Sequence, residues 1–112
     1  MAATESQLAD LVGDAFDPSE LIDVQTGAIV SRTLVDAEAA TLTVFAFDEG
    51  QRLSEHTAPH EALFHVLDGT ATVTIDGEEI TVEAGNAVTF PSDVPHAVDA
   101  QTSMKVLLTM IR

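Results

Sequence analysis

The stretch ALFHVLDGTATVTIDGEEITVEAGNAVTF, residues 62–90, decides what kind of fold this chain adopts. Apolar and polar residues alternate through 70–75 and again through 79–82, the period-two rhythm of strands with one buried face. Between them Asp76-Gly77 favours a tight hairpin, because glycine takes positive φ without steric penalty, and Asp68-Gly69 carries the same signal. Ala84-Gly85-Asn86 marks a further corner, as does Asp48-Glu49-Gly50 upstream. Outward from this core, strands are expected at 28–34, 41–47, 62–67, 70–75, 79–82, 87–90, 96–100 and 105–111. So many short strands, with turn signals at their ends and no room for crossover helices, predict an all-β sandwich or jelly-roll barrel rather than a parallel α/β sheet.

No repeat, low-complexity tract or linker divides the chain, so one barrel is expected over 28–112, with residues 1–27 as a lead-in packed on it. Leu8, Leu11, Val12, Ala15 and Phe16 have helix-compatible spacing, and a frayed or extended lead-in fits them equally. Asp17-Pro18-Ser19-Glu20 opens a short turn before the first barrel strand.

The 112 residues suffice for one domain, which buries roughly two-thirds of the surface its unfolded form exposes. Cysteine is absent, so disulfides and thiolate metal sites are excluded and any metal must be held by nitrogen and oxygen. Against 19 Asp and Glu stand 4 Lys and Arg, for a net charge of -15, and Lys105 is the only lysine. That surface repels nucleic acid and anionic membranes. It belongs either to an ordinary acidic protein or to a halophilic one adapted to molar salt, where a Debye length of about 3 Å screens self-repulsion. The near-loss of lysine favours the halophilic reading, which predicts poor stability in dilute buffer. The opening MAATESQLAD has neither a basic nor an apolar leader region, and no apolar run approaches a membrane span of about 20 residues, so a cytoplasmic protein is expected. No glycine-rich phosphate loop, nucleophile elbow or Ser-His-Asp pattern is present.

The chemistry-bearing residues are the histidines: His56, His60 and His65 are clustered, and His96 follows Pro91 and Pro95. In a β-barrel, motifs distant in sequence reach one mouth when their strands are neighbours, and neutral imidazole is the commonest ligand of zinc, iron, nickel and copper.

The segment from Gly50 through His56 to Gly69 resembles the first motif of the cupins, in which a glycine leads to His-x-His, a later glutamate and a closing glycine. Gly85 to Pro91, with Asp93 and His96, resembles the second, and the hairpin Thr72-Val-Thr-Ile-Asp-Gly-Glu-Glu-Ile80 resembles the join between motifs in small single-domain cupins. The resemblance spans roughly residues 28–111. It implies a cupin jelly-roll, or double-stranded β-helix, barrel with metal ligands at His56 and His96, while Ala58 stands at the second histidine position and Ala62 at the glutamate. The run His56-Thr57-Ala58-Pro59 is similar to a subgroup of short cupins. A homodimer is implied too, formed through sheets or by exchange of an N-terminal strand, for which 29–34 is the candidate.

Pro59 breaks strand pairing, so the loop 57–61 can bulge and aim His60 where Ala58 would point. His56, His60 and His96 are therefore the candidate donors for a divalent ion, Zn, Ni, Mn or Fe, since three nitrogens and an open position are the usual minimum. His65 and Glu61 rank below them, because alternation places Ala62, Phe64 and Val66 on one face and Glu61, Leu63, His65 and Leu67 on the other. Phe45, Phe64 and Phe90 are expected to line a pocket for a small-molecule ligand. Three functions fit: a metal-dependent oxygenase or isomerase acting on a small metabolite, a metal-free barrel that binds or senses a small molecule, and an epimerase or isomerase using His60 with Glu61 as acid and base. The plainer reading of His56 and His96 is a hydrogen-bonded pair lining the barrel, and of Glu61 a surface carboxylate.

Overall fold

The computed structural model describes residues 5–112. The strands are β1 (Glu5–Ser6), β2 (Ile29–Asp36), β3 (Ala40–Phe47), β4 (Arg52–His56), β5 (Glu61–Asp68), β6 (Thr70–Ile75), β7 (Glu78–Glu83), β8 (Ala87–Phe90), β9 (His96–Ala100) and β10 (Met104–Ile111). They form two antiparallel sheets, ordered β1-β2-β3-β10-β5-β8 and β4-β9-β6-β7. The inner faces of both sheets bury one core that includes Phe47, Phe64, Val66, Val73, Val98, Met104 and Val106. This is the expected all-β jelly-roll barrel.

The two Asp-Gly signals have different fates. Asp76 (φ 50°) and Gly77 (φ 82°) turn β6 into β7, with Ile75 opposite Glu78, so both central residues of the hairpin take the positive φ its twist demands. Asp68-Gly69 makes no hairpin, because β5 and β6 lie in different sheets and Gly69 is the corner between them. A Cβ at Gly69 would stand 2.2 Å from the Ser103 carbonyl oxygen, so close passage of another chain segment requires glycine there as much as its φ of 82° does.

Ahead of the barrel, the apolar spacing of residues 8–16 yields no α-helix. Two one-turn 3-10 helices form instead, Leu8–Leu11 and Pro18–Leu21, and Val12 and Phe16 are exposed. Gly13 (φ 90°) and Pro18 interrupt a segment too short to repay helix nucleation. The second turn packs on β3, β5 and β10. On β3, Val44 and Ala46 alternate with the pocket-lining Phe45 and Phe47 and are fully buried. Lys105 Nζ donates to the Ser19 carbonyl (2.8 Å), and Arg32 donates to the Leu21 carbonyl (3.2 Å), tying the lead-in to the barrel wall.

Candidate functional site

One end of the barrel opens into a cavity of about 150 Å³ between the sheets. Its floor and walls are Phe45 and Phe47 from β3, Leu53 from β4, Ala62 and Phe64 from β5, Phe90 from β8, Val98 from β9, and Leu108 and Met110 from β10. His56, Ala58, His60 and His96 complete the lining.

A β-bulge places His56 there. β4 and β9 pair Leu53 with Val98 and then His56 with His96, so two residues of β4, Ser54 and Glu55, oppose the single Ala97. Leu53 and Val98 face the pocket; with strict alternation Glu55 would follow them inward and His56 would face out. The extra residue reverses that and sets His56 beside His96, their ring centroids 4.3 Å apart in an edge-on contact. The bulge thus lies within β4, not beside Pro59. The loop after β4 is fixed in another way: Asp93 N–H donates to the Ala58 carbonyl (2.8 Å) and Ser92 Oγ to the Pro59 carbonyl (2.8 Å).

Both imidazoles are held by one local device. Nδ1 of His56 lies 2.8 Å from the Ser54 carbonyl oxygen, and Nδ1 of His96 lies 3.0 Å from that of Val94. A carbonyl oxygen only accepts, so Nδ1–H is the donor in each case, and in the neutral form of the ring Nε2 is left with a lone pair. His96 is 6% exposed and stacks on Phe90, with centroids 4.3 Å apart and planes 9° apart. Phe90 in turn packs on Phe64, at 5.3 Å. The buried ring therefore has a fixed plane and a fixed tautomer.

His65 and Glu61 do not reach this site. On β5, Ala62, Phe64 and Val66 are buried while Glu61 and Leu63 are exposed and His65 is half-buried, so both candidates stand on the outer face. His65 pairs there with Leu107 and Ala87. Without Glu61 nearby, the acid-base pair of His60 with Glu61 is not assembled in the pocket.

The model of the cupin domain family matches residues 43–112. The chain belongs to the cupin family. This cupin is similar in structure to a conserved protein of unknown function from Streptococcus pyogenes, at 31% identity and a TM-score of 0.84, covering 89% of this chain and 88% of that one. It is similar to a cupin 2 conserved barrel domain protein from Leptotrichia buccalis as well, at 37% identity and a TM-score of 0.83, covering 87% of this chain and 47% of the other. A cupin superfamily protein from Desulfitobacterium hafniense, 21% identical, shares the fold with a TM-score of 0.84 over 88% of this chain and 91% of its own. Among curated proteins, none matches the sequence.

The resemblance to metal-binding cupins implies a metal ion here, and the donor set does not fit one. Among the described residues, no group of three or more His, Cys, Asp or Glu side chains is placed to hold a metal ion. His60 lines the pocket with His56 and His96, but the three do not converge into the expected cage. The physical reason is local. Where the family pattern has a second histidine and a glutamate, Ala58 and Ala62 present methyl groups to the pocket, and the 58–59 backbone is bonded to the 92–93 turn. Two imidazoles fall short of the three protein donors of a catalytic centre.

Proposed function

We propose that this cupin binds a small, uncharged, largely apolar molecule in its barrel without a metal ion. The observation that carries this reading is the pairing of His56 and His96, each with Nδ1–H given to a backbone carbonyl, in a pocket whose remaining ligand positions are Ala58 and Ala62. Such a site is apolar wall plus a few convergent polar groups, the usual composition of a small-molecule pocket. The alanines enlarge it, and the fixed imidazoles supply hydrogen-bond acceptors that orient a guest.

The test is thermal unfolding in molar salt with a chelator present, against a panel of small neutral compounds. A ligand that binds only the native state stabilises by about 2.7 kcal/mol at a hundredfold excess over its Kd, so a hit raises Tm visibly. Stabilisation that survives the chelator is expected. Stabilisation that appears only when Zn, Ni, Mn or Fe is added back would overturn the reading in favour of a metal centre.

A further inference from the structure

We infer that the guest of this pocket is a phenol: a neutral, single-ring aromatic molecule whose hydroxyl donates a hydrogen bond to Nε2 of His96. The inference rests on the metal-free reading and adds the chemical class of the ligand.

Size comes first. A dry cavity of about 150 Å³ accommodates one benzene ring, and this one has that volume. Its walls then favour an aromatic guest: Phe45, Phe47, Phe64 and Phe90 all face it, which is four of the chain's five phenylalanines. Aromatic rings meeting edge-to-face or offset gain beyond their buried area. The wall rings also brace one another: Phe64 packs tilted against Phe90, and Phe90 stacks on His96.

The hydroxyl follows from His96. With Nδ1–H committed to the Val94 carbonyl, only Nε2 remains, and among the described residues no side chain or backbone group is hydrogen-bonded to it. Among the described residues, no buried side-chain nitrogen or oxygen is both sealed from solvent and unbonded, so the Nε2 edge of this buried ring opens on the cavity it lines. Closing an apolar guest over an acceptor that keeps no donor leaves a desolvated lone pair unmatched, so a guest that brings its own O–H is selected over one that does not.

Neutrality follows from charge. Among the described residues, no Asp, Glu, Lys or Arg lines the pocket, so neither an anion nor a cation finds a counter-charge there. All 4 basic residues are occupied elsewhere: Arg52 on Asp99, Arg112 on Asp36, Arg32 on Gln7 and Leu21, and Lys105 on Ser19. A net charge of -15 repels anions at longer range.

Phenol, toluene and benzoate separate these requirements, measured by ligand-observed NMR on the full chain in molar salt with a chelator. Saturable binding of phenol is expected, with toluene, equal in shape but lacking the donor, bound roughly tenfold more weakly. Benzoate is expected not to compete. In His96→Phe, phenol and toluene should bind alike; in Ala58→Leu, which fills the pocket from its rim, both should be lost while the circular dichroism is unchanged. Toluene binding as tightly as phenol in the native protein, benzoate outcompeting phenol, or no binding of either neutral probe would overturn the phenol assignment while leaving metal-free binding of another molecule intact. Restoration of phenol binding only on addition of a divalent metal would overturn the metal-free reading itself.

Discussion

Gly69 and Gly77 have the same φ of 82°, and only their surroundings differ. A methyl at Gly77 meets nothing within 4 Å, whereas one at Gly69 meets the Ser103 carbonyl at 2.2 Å and Met104 Cα at 2.9 Å. Gly77→Ala should therefore cost about 1–2 kcal/mol, the left-handed penalty alone. Gly69→Ala should cost clearly more, on the order of 3–5 kcal/mol, since backbone must move as well. Denaturant unfolding of the two variants in molar salt measures the difference; equal losses would mean that the β5–β6 corner tolerates a side chain. From sequence these glycines look alike, because the segment that crowds Gly69 arrives from residues 102–104, at the entry to β10. His65 is the opposite case. Simple alternation along β5 placed it with Glu61 on the outer face, and there it stands. His56 was legible as a site residue from its motif, but the reason it faces inward was not: a bulge is one extra residue in one strand and leaves no mark in composition.

At the level of elements, eight strands announced themselves by alternation and turn residues, with ends within two residues of those observed. β4 did not. Its sequence Arg-Leu-Ser-Glu-His is mostly polar and lies at a sheet edge, with only Leu53 turned toward the core, so no periodic signal marks it. Asp48, in the turn between β3 and β4, shows how such corners are held. Its carboxylate accepts from the N–H groups of Gly27 and Glu49 (2.7 and 2.9 Å) and from Ser103 Oγ (3.3 Å). Those bonds, the backbone pair foremost, favour the charged form and hold its pKa below the ordinary aspartate value. A carboxylate whose folded pKa is depressed contributes stability that is complete above its unfolded pKa and is lost as pH falls through the folded one. Asp48→Asn should thus lower Tm at neutral pH, and the gap from the native protein should narrow below about pH 3.9. A gap that is independent of pH would show that the charge does not matter.

For the whole molecule, charge dominates. Two exposed ion pairs, Arg52–Asp99 and Arg112–Asp36, both at 3.2 Å, are set against a net charge of -15. Exposed pairs contribute about 0–1 kcal/mol each, so added salt relieves more repulsion than it removes attraction. Tm should rise steadily from dilute buffer to about 1 M salt; a flat or falling curve would remove the halophilic interpretation. One sheet edge invites a partner as well. β1 pairs β2 only at Asp36 and Val35, and the edge of β2 toward Ile29 has no further strand beside it among the described residues. We propose that a second copy covers this edge, which predicts twice the chain mass by light scattering in molar salt; a monomer there would refute it. The fold as a whole was readable because two Asp-Gly corners, strict alternation and the spacing of glycine, proline and histidine agree with one another. The site was readable only in part, since the bulge that sets His56 beside His96 leaves no mark in the spacing.

The most direct measurement is metal content by mass spectrometry of protein prepared in molar salt, beside His56→Ala and His96→Ala, with concentration determined without 280 nm absorbance because Trp and Tyr are absent. Metal far below one equivalent is expected in all three proteins, with no uptake of added Zn, Ni, Mn or Fe. Near-stoichiometric metal in the native protein, lost in both variants, would contradict it and establish a histidine metal centre.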